Sequence, residues 1–337
     1  MNLHEERYAR HALVREMMET LKVVRNFDPA RTRQAADQIR AAGRLLMTGE
    51  GSSRIFPAKN ARRQALTRGL DLAVFTEGSQ QAAQYDLGRF AVLCASNSGK
   101  TKEVILLAQE LERRQILRFG LCAHRNTPLE ALCPETFILT CGPENAVAAT
   151  KSVVEQALLC QSLLWHMSTP PPAGWQEALA VRMEAALTYP VPPALVTAAV
   201  QAPTLYFAGY NDGVAEELSL KTNEITRKKS DYLEGTYAVH GIEEVMEPRD
   251  VVILIDPIAA EAEKFTEVLL KGVGLTVIAI AAHETSFPTL VMPDAGELNP
   301  YVYLCAGWNL LVEIGLARGI ELDRPVRARK VGNEFGG

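Results

Sequence analysis

The strongest constraint on this chain is a rhythm. From about residue 44, short apolar runs alternate with stretches of helical periodicity, and the alternation happens twice. In the first pass, residues 44–47, 71–75, 90–95, 116–123 and 136–141 read as strands. Helices over 56–69, from Lys102 onward, and over about 147–167 accompany them. In the second pass, residues 204–209, 251–255, 276–280 and 289–292 read as strands, with helices over 213–230, 258–270 and 299–318. Strands that are apolar throughout are buried on both faces, and strand–helix–strand order makes them parallel. Leu46-Met47-Thr48-Gly49 and Tyr206-Phe207-Ala208-Gly209 occupy matching places. The economical reading is an α/β chain of two tandem, doubly wound parallel-sheet domains. Helices over 3–24 and from Asp28 to about Ile39 precede them. The run 168–174 stops one helix, a further amphipathic helix follows, and Pro190-Val191-Pro192-Pro193 interrupts regular structure. The expected organisation is a helical segment (1–40), a first domain (41–190), and a second domain with a C-terminal tail (194–337).

At 337 residues the chain is long enough for two cores of ordinary size. Its net charge of -5 gives no reason to expect nucleic acid or an anionic membrane as partner. No apolar run reaches the length of a bilayer span. Cys94, Cys122, Cys133, Cys141, Cys160 and Cys305 show no paired or metal-ligand spacing and fall largely in apolar runs. Buried thiols in a reducing, cytoplasmic compartment are the expectation. The histidines at 4, 11, 124, 166, 240 and 283 show no ligand spacing either, so neither metal nor cofactor is expected.

The segment from Cys94 to Thr101, Cys-Ala-Ser-Asn-Ser-Gly-Lys-Thr, joins an expected strand to an expected helix. Unpaired N–H groups of a first helical turn, the helix dipole, and the hydroxyls of Ser96, Ser98 and Thr101 together suit an anion, and a phosphate is the natural guest. An ordinary capped helix start, with Ser98 or Thr101 as cap and no ligand, fits the same residues.

Further along, Glu217, Lys221 and Glu224 are spaced by four and three, which puts them on one helical face. Charges at helical spacing are commonly a solvated face with routine ion pairs. Here they are followed by the glycine-containing segment 233–241, which ends in His240-Gly241. A glutamate and a histidine supply the acid and base that proton transfer beside a carbonyl requires near neutral pH.

Taken in order, these residues resemble the sugar isomerase (SIS) domain family, most closely its double-domain members such as the isomerase half of glucosamine-6-phosphate synthase. The resemblance runs from about residue 40 to the C-terminus. Its marks are Gly51-Ser52-Ser53 after the first strand, the Ser-x-Ser-Gly-x-Thr loop at 96–101, and Val147-Ala148-Ala149-Thr150-Lys151. Lys221-x-x-Glu224, His240 sixteen positions later, and Asp323-x-Pro325 followed by Lys330 complete the set.

The resemblance implies a phosphosugar aldose–ketose isomerase acting on an amino-sugar or sugar–amine 6-phosphate, as a deaminase or deglycase. It places Ser52, Ser53, Ser96, Asn97, Ser98 and Thr101 at the sugar phosphate, and Val147 and Ala149 along the sugar; relatives often carry serine at the latter position. Glu224 becomes the base between C1 and C2, His240 the ring-opening residue, Lys330 an imine-forming lysine, and Lys221 a helper cation. A homodimer with sites at the subunit interface follows from the same resemblance. Two departures stand out. No glutaminase segment with a nucleophilic cysteine precedes residue 1, so glutamine-dependent synthesis is not expected, and the stretch before His240 lacks the family's Glu-x-x-His-Gly-Pro pattern. Arg54, next to Ser53, is either a further phosphate cation or a plain surface arginine. The rival reading is a non-catalytic phosphosugar-binding regulatory module, which would have no use for Glu224, His240 and Lys330 together.

Overall fold

The computed structural model describes residues 1–327 and 334–335. Two five-stranded parallel sheets account for the two passes of the rhythm. The first contains β1 (Arg44–Gly49), β2 (Ala73–Glu77), β3 (Ala91–Ala95), β4 (Arg118–Cys122) and β5 (Glu135–Ile138), in the order β2-β1-β3-β4-β5. The second contains β6 (Thr204–Gly209), β7 (Lys229–Glu234), β8 (Val251–Ile255), β9 (Thr276–Ala281) and β10 (Thr289–Val291), in the order β10-β9-β8-β6-β7. Read from its other edge, the second order is the first with each strand number raised by five. The tandem repeat inferred from the sequence is therefore a repeat of topology.

Burial follows position in the sheet. β3, β4 and β8 are buried at every residue, as central parallel strands covered on both faces must be. Each repeat's first strand ends in a glycine for the same steric reason. Gly49 pairs with Ala95 and Gly209 with Ile255, and a Cβ at either glycine would fall within 3 Å of the partner's carbonyl oxygen.

By contact density the chain divides into two compact units, one built on each sheet. The second-sheet unit comprises 1–22, 145–150 and 176–325, and the first-sheet unit comprises 23–144, 151–175 and the described residues after 325. The N-terminal helices are Glu6–Ala9 and Ala12–Arg25, followed by a 3₁₀ turn Pro29–Thr32 and the helix Arg33–Ala42. Asp28 starts the turn by accepting from the Ala30 N–H at 2.9 Å.

Three expected elements differ. The helix expected over 213–230 is Val214–Thr226; Arg227 turns left-handed (φ 54°), and the chain continues as β7. That strand went unrecognised because Lys229-Ser230-Asp231-Tyr232-Leu233-Glu234 is an edge strand with Leu233 alone fully buried, so it carries no apolar run. The helix expected over 147–167 is Lys151–Trp165. Ahead of it the chain bends over 146–148, and the Val147 N–H donates to the Asp323 carbonyl at 3.1 Å rather than to a helical one. Glu144 receives the Ser152 N–H at 3.3 Å and so fixes the new start. The segment expected as a helix over 258–270 is a short helix, Ala262–Phe265, that widens into a π-helix over Thr266–Val273 and stops at left-handed Gly274.

Candidate functional site

In a sheet ordered 2-1-3-4-5, the chain leaves β1 and β3 in opposite directions, and a crevice opens at their carboxyl ends. In the first-sheet unit both chemically suggestive segments leave from that point. Gly51–Ser53 forms a 3₁₀ turn two residues after β1, and Ser96 to Thr101 follows β3 directly. Ser53, Asn97, Ser98 and Thr101 line a common cavity of about 520 Å³ with His124, Leu139, Gly142, Pro143, Glu144 and Glu334.

The loop is held open by its own hydrogen bonds. The Ser96 hydroxyl bonds the Thr101 hydroxyl at 2.7 Å and accepts from the Thr101 N–H at 3.3 Å, while Gly99 N–H closes a turn onto Ser96 O at 2.9 Å. Ser98 Oγ accepts from the Lys100 N–H at 3.2 Å. Thr101 stands at the N-cap position of the helix Lys102–Arg113, yet its side chain caps no helical N–H. The plain capping alternative therefore does not account for the loop, and the first helical turn is left without a hydroxyl cap from Thr101. Asn97 Oδ1 is buried with no hydrogen-bond partner, an expensive state unless a ligand or water completes it. Gly99 adopts φ +67°, and a Cβ there would lie 2.5–2.7 Å from the Thr127 side chain, so this loop tolerates glycine only.

The far wall of the cavity is set by Glu155, which is 1 % exposed. Its carboxylate accepts from the Thr140 N–H (2.8 and 2.9 Å), the Thr140 hydroxyl (2.9 Å) and the Cys141 N–H (2.7 Å). Arg31 completes the shell at 3.1 Å. These bonds fix the segment after β5, from which Leu139, Gly142, Pro143 and Glu144 reach the cavity. Glu334 arrives from the other direction. It bridges Thr101 in antiparallel fashion, and the Phe335 N–H donates to Lys100 O at 2.8 Å.

In the second-sheet unit, Lys221 is buried between two carboxylates, Glu217 Oε1 at 3.3 Å and Glu224 Oε2 at 2.9 Å. Burial pulls its ammonium pKa down, but the two carboxylates together outweigh burial and the net shift is upward. Lys221 is thus a permanent cation. Glu217 is fully enclosed, whereas the Glu224 side chain keeps 27 % of its surface exposed, which makes it the member of the trio that a ligand can touch. His240 is exposed at the end of the 3₁₀ turn Tyr237–Val239, with its Nε2 2.9 Å from Lys264 Nζ.

The sequence-derived residues thus fall into separate local groups. Ser53, Asn97, Ser98 and Thr101 share the cavity. Ser96 serves it from behind by pinning Thr101, and neither Ser52 nor Arg54 lines it. The Arg54 Nε is buried without a hydrogen-bond partner. Val147 and Ala149 are half-buried in 145–150, a stretch that clusters with the second-sheet unit, as do Lys221, Glu224 and His240. Lys330 lies outside the described residues. Sequence reasoning missed His124 and Glu334 at the cavity and Lys264 beside His240, since none of them stands in a motif. Among the described residues one set has the ligand types for a metal, His11, Glu321 and Asp323. There the Asp323 carboxylate is occupied by the Ala12 and Leu13 N–H groups at 2.9 and 2.8 Å. No described helix is long and apolar enough to cross a membrane.

Comparison with known proteins places this architecture. Residues 38–165 match the family model of the SIS domain. A curated relative, the glutamine–fructose-6-phosphate aminotransferase [isomerizing] of Aeropyrum pernix, is 25% identical over 327 residues, covering 88% of this chain and 52% of its own. The chain therefore spans about half the length of that relative. Among solved structures, the C-terminal domain of glucosamine-fructose-6-phosphate aminotransferase from Francisella tularensis superposes with a TM-score of 0.79 at 15% identity, over 94% of this chain and 98% of that one. Glucosamine-6-phosphate deaminase from Thermotoga maritima gives 0.67 at 16% identity, over 94% and 98%. Residues 38–165 thus resemble a SIS domain, and the two tandem parallel sheets with their N-terminal helices match the SIS fold architecture.

Proposed function

We propose that the chain is a phosphosugar isomerase acting on an amino-sugar or sugar–amine 6-phosphate and releasing the amine, as a deaminase or deglycase. The observation that carries this reading is the cavity at the β1/β3 crevice, where hydroxyls from two loops meet the start of a helix that its own N-cap residue leaves open. The similar proteins, an isomerizing aminotransferase and a deaminase, agree with that reaction class.

In this reading the phosphoryl group is held by Ser53, Ser98, Thr101 and the loop N–H groups, with Ser52 and Ser96 behind them and Val147 and Ala149 along the sugar. A cyclic sugar shows no carbonyl, so His240 first opens the ring. Glu224, the accessible carboxylate of its trio, then moves a proton between C1 and C2. The permanent cation Lys221, 2.9 Å away, stabilises the negative charge that develops on the enediolate. Lys330 would form an imine with the open-chain ketose, displacing the sugar's amine nitrogen, and water then hydrolyses that imine to free the ketose and regenerate the lysine. A homodimer whose subunits complete each other's sites suits His240, an exposed residue on an irregular segment.

Incubating the protein with a panel of hexose 6-phosphates, glucosamine 6-phosphate and fructosamine 6-phosphates, and following phosphorus NMR and amine release, tests the reading. Interconversion or amine loss for at least one member is expected, and Glu224→Gln should abolish it while sparing binding. Binding without turnover for every member would move the assignment to the regulatory-module reading.

A further inference from the structure

A phosphomonoester carries between one and two negative charges near neutral pH. The cavity offers it hydroxyls and N–H groups, but the same lining includes two carboxylates, Glu144 and Glu334. Among the described residues that line it, one side chain can carry positive charge, the imidazole of His124. We infer that His124 is a ligand-binding residue of this cavity, whose protonated ring donates to the phosphoryl oxygens; the inference rests on the cavity being the phosphoryl site.

The backbone places the ring for that task. His124 follows the end of β4 by two residues, next to Ala123, whose N–H donates to Asn97 O at 2.9 Å. The Cys122 thiol donates to His124 O at 3.1 Å. The residue is thereby tied to the loop that would hold the phosphoryl group. Its side chain is exposed and open to a ligand.

Of the other ionisable groups nearby, Lys151 is buried with partners of its own, its Nζ 3.9 Å from where a Cβ on the cavity-lining Gly142 would stand. Glu144 receives the N–H and hydroxyl of Ser152. Arg125, adjacent in sequence, is engaged by Glu130 at 3.2 Å. The thiols of Cys122 and Cys141 are pushed up chiefly by burial and remain protonated. Glu334 also lines the cavity, and its carboxylate sharpens the need for a cation there.

Calorimetric titration of the full chain with a hexitol 6-phosphate and a hexitol 6-sulfate, at pH 5.5 and pH 8, tests the inference. A sulfate ester keeps one fixed charge over this range, so its pH dependence belongs to the protein. An ordinary imidazole titrates near about 6.5. The wild-type protein should bind the sulfate ester about tenfold more tightly at pH 5.5 than at pH 8. His124→Ala should lose that advantage and become insensitive to pH, with Glu144 and Glu334 still present as an internal control. His124→Lys should bind tightly at both values. Wild-type affinity in His124→Ala at pH 5.5, or an undiminished pH dependence, overturns the role of His124 alone. Failure of the wild type to bind either ester overturns the phosphoryl site itself.

Discussion

Replacing Glu155 by glutamine tests how the cavity wall is held. The carboxylate is 1 % exposed and accepts from two main-chain N–H groups, one hydroxyl and one guanidinium. Glutamine has one acceptor oxygen where glutamate has two. If the amide nitrogen took the Oε2 position, it would confront the Cys141 and Thr140 N–H groups, at about 1–3 kcal/mol for each donor left unpaired. The cheaper orientation keeps oxygen there and turns the nitrogen toward Arg31 and the Thr140 hydroxyl. The hydroxyl can rotate to accept, and Arg31, whose side chain is 26% exposed, can turn to water. What is then lost is the charge assistance to two N–H bonds and one partly screened ion pair, together about 2–4 kcal/mol. Guanidinium unfolding followed by tryptophan fluorescence reads this directly, since Trp165 and Trp175 pack edge-on in the same unit with ring centroids 4.9 Å apart. Hexitol 6-phosphate affinity should fall in parallel, because the segment Glu155 anchors supplies Leu139, Gly142, Pro143 and Glu144 to the cavity. A destabilisation under about 1 kcal/mol with unchanged affinity would refute the argument.

Three further outcomes follow from the same geometry. Lys221→Met takes away the ammonium that neutralises buried Glu217 and should cost about 3 kcal/mol in denaturant unfolding, with Glu217→Gln in the same chain restoring a good part of it. Gly99→Ala forces a Cβ against Thr127 in a left-handed position; phosphosugar affinity by calorimetry should drop at least about tenfold, while the fold, monitored by circular dichroism, persists. Burial pushes the thiols of Cys133 and Cys160 up to about 12 from an ordinary 9.0. The folded state therefore holds these protons more tightly than the unfolded chain does, and their contribution is complete below pH 9 and fades between pH 9 and 12. The melting temperature should decline across that interval, and a flat profile to pH 11 would contradict it.

Most of the fold was legible because parallel strands buried on both faces write themselves as apolar runs. β3, β4 and β8 are of this kind. β7 escaped because an edge strand needs no such run, and the early start assigned to the helix Lys151–Trp165 came from reading Val147 and Ala148 as helical when a distant carbonyl, that of Asp323, claims the Val147 N–H. The site was legible where one short segment holds several of its members, as at 96–101 and 217–224. His124 and Glu334 became visible only once β4 and the C-terminal segment delivered them to the crevice from positions far apart in the chain. Ser96 shows a subtler limit. Its residue type suits ligand binding, but its hydroxyl is committed to Thr101, a choice that only the folded loop reveals.

A crystal structure of the protein with a hexitol 6-phosphate bound bears most directly on the whole account. The phosphoryl group should lie against the 96–101 loop, within hydrogen-bond reach of Ser98, Thr101 and the N–H groups that open the helix Lys102–Arg113. An ordered ligand whose phosphoryl group makes no contact with that loop would contradict it.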